Sequence, residues 1–215
     1  EKIYKYRLEF IEKIKEEVPG IVLENCASGG HRLEPKLMSV MSMASFSDAH
    51  ECEEIPIIAA NLHRVIHPAQ SQIWAVIRQD DSLKRIAYSI SNTFLGRMCI
   101  SGDVTQLAPE KWNLIEQGIS FYGKIKDIIK EGQSYRYGPK IKSARHPEGW
   151  QALLRVGKNK QAYVVIHVFG GELPEVIEIE LPEGIPDHIR QIYAHQEMEV
   201  SIKDRKIYYR PSENK

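Results

Sequence analysis

The chain has 215 residues, 42% of them hydrophobic, and its 29 lysines and arginines balance 29 aspartates and glutamates. That is enough apolar material for a real core in one large or two small domains, and the even charge, without long blocks of one sign, argues against a nucleic-acid or acidic-membrane partner. Three widely spaced cysteines, Cys26, Cys52 and Cys99, argue against a disulfide framework and for a reducing, cytoplasmic setting, and no apolar run approaches the roughly 20 residues of a membrane helix.

The chain opens in mid-helix at Glu1-Lys-Ile-Tyr without a methionine, so a longer parent is expected. Tyr4, Leu8, Ile11, Ile14 and Val18 follow helical spacing until Pro19-Gly20 stops them. A strand is predicted over 21–24, a loop from Cys26 to Arg32, a helix over 34–40 opened by Pro35, and a second strand over 43–46. After an acidic loop, a helix begins near Pro56 with Ile57, Ile58, Leu62 and Val65 on one side. Strands over 71–77 and 98–100 flank a helix over 82–95 that ends at Gly96. A long helix from Pro109 turns Trp112, Ile115, Ile119, Tyr122, Ile125 and Ile129 inward and stops at Gly132.

Beyond Gly132 the pattern changes. Strand-like runs over 150–156, 161–169, 176–181, 189–193, 198–202 and 207–209 are separated by turn signals such as Gly170-Gly171 and Lys203-Asp204, as in an antiparallel sandwich. The reading is α/β: residues 1–137 form four strand-loop-helix units, half of a (β/α)8 barrel, and residues 138–215 a small antiparallel β-sandwich. Half a barrel leaves two strand edges and an inner face uncovered, so in isolation it should be poorly stable or self-associate.

Two segments carry chemistry. Each is a short apolar run ending in polar, glycine-rich sequence, the way a buried parallel strand delivers reactive groups to the rim of a sheet or barrel. Asp48 stands just beyond the second strand, where its apolar approach would keep water from the carboxyl, as a general acid requires; an ordinary loop or helix-capping aspartate is the alternative. In the Cys26–Arg32 loop, Gly29 and Gly30 permit close backbone approach and Arg32 offers a fork of donors for hydroxyls or a carboxylate. This suits a sugar. A strand-to-helix turn that merely needs glycines explains it equally, whereas phosphate cradling lacks both the P-loop lysine and the G-x-G-x-x-G spacing.

His50, Glu51, Cys52, Glu53 and Glu54, with His31, are of zinc-ligating types, but neither H-E-x-x-H nor C-x-x-C occurs, so no metal site and no cofactor is expected. His63 and His67 read as surface histidines near a helix end, and Trp74, Trp112 and Trp150 as core or sheet residues.

Glu24-Asn-Cys26-Ala-Ser28-Gly29-Gly30-His-Arg32 followed by Ser47-Asp48 resembles the alpha-galactosidase and raffinose-synthase family of retaining glycoside hydrolases, family 36. The resemblance covers the organisation from about Leu8 to Gly132, and the β-rich tail is similar to the family's C-terminal sandwich. It implies that this chain holds barrel strands five to eight, that Asp48 is the acid/base, and that Cys26, Ser28 and Gly29 line the sugar pocket, with Gly30 and Arg32 shaping the same loop. The family's nucleophile lies in a Lys-x-Asp segment on the fourth barrel strand, and no Lys-x-Asp occurs here.

The chain departs from the family pattern at Ser28 and His31, where glycines are usual, and in Ser47-Asp48-Ala-His50-Glu51-Cys52, where Ser-Asp-x-Thr-Asp-Ala is usual. His50 and Glu51 would add hydrogen-bonding groups beside the acid/base and bind substrate. The implied partner is an oligosaccharide, and the parent is expected to be a homo-oligomer. A non-catalytic carbohydrate-binding or interaction module derived from such a barrel is the alternative.

Overall fold

The computed structural model describes residues 2–26, 30–48 and 52–211. Its first part alternates α1 (Lys2–Glu17), β1 (Glu24–Cys26), α2 (Pro35–Val40), β2 (Met43–Ser45), α3 (Ile55–Leu62), β3 (Ser71–Ile77), α4 (Leu83–Thr93), β4 (Arg97–Gly102) and α5 (Pro109–Glu131). The four strands form one parallel sheet in the order β1-β2-β3-β4. Caps explain several boundaries. Glu34 accepts from the Lys36 and Leu37 amides ahead of Pro35, and Ser82 accepts from the Arg85 amide at the start of α4.

β1 lies later than the predicted 21–24. The Leu23 amide donates to Ser42 Oγ at 3.0 Å and the Leu23 carbonyl accepts from the Ser42 amide at 2.9 Å, so a side-chain bridge occupies the place where the ladder would begin. In α1 only Leu8 and Ile11 are buried, against Leu37 of α2, while Ile3, Tyr6 and Phe10, and Val18 just past its end, stay exposed. In α3 Ile57 is buried as expected, but Val65 falls beyond the helix and is exposed.

The main core lies on one face of the parallel sheet. Ile73, Ala75 and Ile77 of β3 are fully buried against Ala59 of α3, Ile86 and Ile90 of α4, and Ile115 and Ile129 of α5. Burying a side chain such as Ile or Leu contributes about 1.5–3 kcal/mol. The buried stripe of α5 is Leu114, Ile115, Gly118, Ile125, Ile128 and Ile129, rotated from the predicted one, and Trp112 and Ile119 are exposed. The rotation follows from two contacts made at once, with α4 and with the antiparallel sheet behind it.

From Gln133 the chain is antiparallel. β5 (Gln133–Tyr137), β6 (Gly149–Val156) and β7 (Ala162–Gly170) form one sheet in that order. β8 (Ile177–Glu180), β9 (Val200–Lys203) and β10 (Lys206–Tyr209) form another in the order β8-β10-β9. β5 pairs with β6, so the antiparallel part begins at Gln133, ahead of the expected boundary near 138.

Leu153, Tyr163 and Val165 face the helices, whereas Ala152 and Leu154 join Ile177, Ile179 and Ile207 of the second sheet in a separate apolar cluster. The strand predicted over 189–193 is irregular, because Tyr193 is drawn into an aromatic group with Phe94 and Phe121. The tertiary contact overrides β-propensity there.

Candidate active site

All four strands of the first sheet run parallel, so their carboxyl ends share one rim. Cys26 closes β1, Asp48 follows β2 by three residues, and Arg78 and Asp103 follow β3 and β4 directly. This is the rim from which α/β folds present reactive groups. Cys26, Arg32 and Asp48 are exposed there.

Two local contacts fold the first loop onto the second. Asn25, 6% exposed, donates from Nδ2 to the Arg32 carbonyl at 2.7 Å and closes the Cys26–Arg32 segment at its base. Gly30 has φ 89°, and a Cβ built on it would stand 2.8 Å from the Phe46 carbonyl oxygen. Only glycine tolerates both that backbone and that approach. Phe46 is buried in the main core, which anchors the segment leading to Asp48. Since the Phe46 ring turns into that core, the described residues do not give Asp48 the apolar enclosure expected for it.

Of the predicted site residues, Cys26, Gly30, Arg32 and Asp48 thus lie at one end of adjacent strands, with Arg32 entering the loop geometry through its carbonyl. Ser28, Gly29, His50 and Glu51 lie outside the described residues. Among the described residues, no group of His, Cys, Asp and Glu is arranged to hold a metal ion, and no helix is long and apolar enough to cross a membrane.

The sheet face opposite the helices is polar. By strand alternation and register it carries Cys26, Ser45, Gln72, Trp74, Arg97, Cys99 and Ser101. Side-chain contacts agree: Trp74 Nε1 donates to Ser45 Oγ at 3.1 Å and Arg97 reaches the Met43 sulfur at 3.0 Å. Trp74 is therefore a sheet residue outside the main core, 36% exposed on the face opposite the helices. The alternation in Ser71-Gln-Ile-Trp-Ala-Val-Ile77 carried this signal, with Gln72 and Trp74 two apart between fully buried residues.

His63 also differs from the expected surface histidine. Its Nε2 donates to the Leu95 carbonyl at 2.5 Å, which leaves Nδ1 to accept the Ser134 hydroxyl at 2.8 Å. Burial lowers its pKa to about 4. His67 is exposed, and its Nδ1 accepts from the Ala69 amide.

A cavity of about 440 Å³ lined by Arg78, Gln79, Asp80 and Asp103 lies at the same rim. A larger one of about 1510 Å³ runs between α4, α5 and β7, walled mainly by apolar side chains such as Phe94, Phe121, Val165 and Ile189. Cys26, Gly30, Arg32 and Asp48 line neither. The walls of the larger cavity take in Cys52, Glu53 and Ser82 from the segments after β2 and β3 but none of the four described site residues, so size alone does not make it the seat of chemistry.

The sequence matches no family model and no curated protein. Solved structures do match it, among them several alpha-galactosidases, some of which belong to family 36. The galactosidase domain of the alpha-galactosidase-sucrose kinase AgaSK superposes with a TM-score of 0.68 at 18% identity, covering 83% of this chain and 25% of that one. The alpha-galactosidase from Lactobacillus brevis gives 0.67 at 17% identity, covering 94% and 26%. AgaA from Geobacillus stearothermophilus gives 0.66 at 19%, covering 93% and 26%. Variants of AgaA have been solved in complex with raffinose and with stachyose. The chain spans about a quarter of the length of these structures, and at such identities the likeness is one of fold.

Proposed function

We infer that this chain carries the acid/base side of a retaining alpha-glycosidase of the alpha-galactosidase type. In this reading the four parallel strands are strands five to eight of a (β/α)8 barrel, and the antiparallel sheets form its C-terminal β-sandwich. The exposed Ile3, Tyr6 and Phe10 stripe on α1 and the polar concave face of the sheet suit an assembly that continues beyond the described elements. The observation that carries the reading is the seat of Gly30 on the Phe46 carbonyl, which joins the Cys26–Arg32 loop to the segment bearing Asp48.

Asp48 protonates the glycosidic oxygen as the leaving group departs, then takes a proton from the water that releases the sugar. Cys26, Ser28 and Gly29 line the pocket that grips the galactosyl hydroxyls, Gly30 and Arg32 shape the same substrate-binding loop, and His50 and Glu51 bind substrate beside the acid/base. A retaining cycle also needs a nucleophilic carboxylate roughly 5 Å from the acid/base. The reading assigns it to a Lys-x-Asp strand outside these 215 residues. The substrate is an oligosaccharide ending in an alpha-linked galactosyl unit, like the raffinose and stachyose bound by AgaA variants. The setting is cytoplasmic, with no metal or cofactor, and the parent is a homo-oligomer.

Changing Asp48 to Ala in the natural protein tests the assignment. Turnover of raffinose should be abolished, while azide should restore hydrolysis of aryl galactosides with good leaving groups. Unaltered raffinose hydrolysis would sink it. A non-catalytic sugar-binding module is the second reading, favoured by the exposed setting of Asp48 among the described residues. Calorimetric binding of raffinose by a natural protein that hydrolyses nothing would select it.

A further inference from the structure

The geometry points to Trp74 as a sugar-stacking platform in the floor of this site, an assignment that rests on the glycosidase reading above. Three observations place it there. Strand alternation turns Ile73, Ala75 and Ile77 into the helix-side core, which puts Trp74 on the opposite face. The indole N–H is satisfied by Ser45 Oγ at 3.1 Å, which ties one edge of the ring to the strand that leads to Asp48. The ring is nevertheless 36% exposed, on a face whose other members are mostly polar.

Position along the strand supports the same role. Ser45 stands opposite Gln72, two residues before Trp74, at the last rung of the ladder, and Asp48 follows Ser45 by three residues in the segment that leaves β2. A tryptophan whose one polar atom is already bonded has only its π faces left to offer. In an apolar core those faces would be covered by aliphatic side chains. Here the cross-strand neighbour is Cys99, with Gln72 and Val76 to either side along the strand and Arg97 on the diagonal, and 36% of the residue stays exposed.

A pyranose supplies the matching surface. Galactose is suited to it, because the axial 4-hydroxyl leaves the hydrogens of C3, C4 and C5 together on the other side of the ring. Those C–H groups lie flat on an aromatic face while the hydroxyls around the rim meet polar groups, the mixture of aromatic wall and few placed donors usual in small-molecule sites. Ser45 is then a positioning residue, since it fixes the plane of the indole without touching the sugar.

The test uses Trp74→Phe, Trp74→Ala and Ser45→Ala in the natural protein, with raffinose kinetics, thermal melting and tryptophan fluorescence on adding galactose. Trp74→Ala should raise KM roughly tenfold or more with little change in kcat, and Trp74→Phe should raise it less. The galactose-induced fluorescence change should vanish in Trp74→Phe, although Trp112 and Trp150 remain. Ser45→Ala should weaken binding by a smaller factor, and Ser45→Thr should restore it. If Trp74→Ala fails to fold, Trp74→Phe and the parent's fluorescence decide. A parent that hydrolyses raffinose through Asp48, alongside a Trp74→Phe variant with unchanged KM and an intact fluorescence response, overturns the platform alone. A parent with no action on and no affinity for alpha-galactosides overturns both the functional reading and the platform.

Discussion

Gly30 lies against the backbone of Phe46 with no room for a methyl group between them, at a φ of 89° that disfavours any other residue. Phe46 is held in the core, so the glycine side of this contact must yield when it is enlarged. Gly30→Ala should cost about 1–3 kcal/mol through backbone strain and displacement of the loop. We expect a melting point lower by several degrees and, in the natural protein, a proportionately greater loss in kcat/KM for raffinose, because the displaced loop carries Cys26 and Arg32. A variant with parental melting and kinetics would show that the contact is slack.

Arg155 is 2% exposed, and its guanidinium bonds three carbonyls at the end of α5, those of Ile128 (3.2 Å), Ile129 (2.8 Å) and Gly132 (2.7 Å), together with Ser134 Oγ (2.6 Å). It completes the helix terminus and joins α5 to β5 in one stroke. Arg155→Met fills similar volume but leaves these acceptors unpaired, and should destabilise by about 3–5 kcal/mol. Arg155→Lys should recover only part of that, since an ammonium cannot reproduce the fork. Urea denaturation followed by circular dichroism gives both values.

His63 makes stability depend on pH. Burial holds its folded pKa near 4, below the ordinary 6.5, with the Arg155 and His67 charges acting in the same sense. The folded state therefore favours the neutral ring. Its contribution is complete above pH 6.5 and is lost as pH falls toward 4. His167, fully buried on β7 and pushed down to about 3 by burial, acts in the same direction. The urea midpoint should drop steeply between pH 6.5 and 4, and His63→Gln should flatten that slope. A midpoint flat across the window would contradict the buried neutral ring.

Gly118 lies where α5 crosses α4. A Cβ there would collide with Ile90 Cγ2 and approach the Tyr193 ring. Alanine gains about 1 kcal/mol of helix propensity over glycine, yet overpacking typically costs about 1–3 kcal/mol. Since Ile90 is fully buried and has nowhere to retreat, Gly118→Ala should be net destabilising. A raised melting temperature would show that the crossing has slack.

What local sequence decides is visible in the elements that came out as predicted. The alternation and β-branching of Ser71–Ile77 make a strand. Pro109 opens α5, and Gly132 follows its last turn. Ser82 caps α4. The βα rhythm and the change of pattern after Gly132 were legible because periodicity and caps act within a few residues. So was the place of Cys26 and Asp48 at the carboxyl ends of adjacent strands, although Cys26 is the last residue of β1 and does not lie beyond it.

Tertiary packing decided the rest. The sequence over 189–193 has strand character, but Tyr193 packs on Phe94 and Phe121 and the backbone stays irregular. β5 pairs with β6 over residues that did not read as a strand, because a partner ladder supplied bonds their composition did not announce. The inner face of α5 turned toward Gly118, a position without a side chain and so invisible to any hydrophobic count. His63 read as a surface histidine until Leu95 and Ser134 met around it, and no local pattern announced that Arg155 would bind the end of α5. Trp74 read as a core or sheet residue, and which side of the sheet the helices cover put it on the opposite face beside Ser45. Periodicity is written into short stretches of chain, whereas which face is covered, and by what, depends on residues distant in sequence.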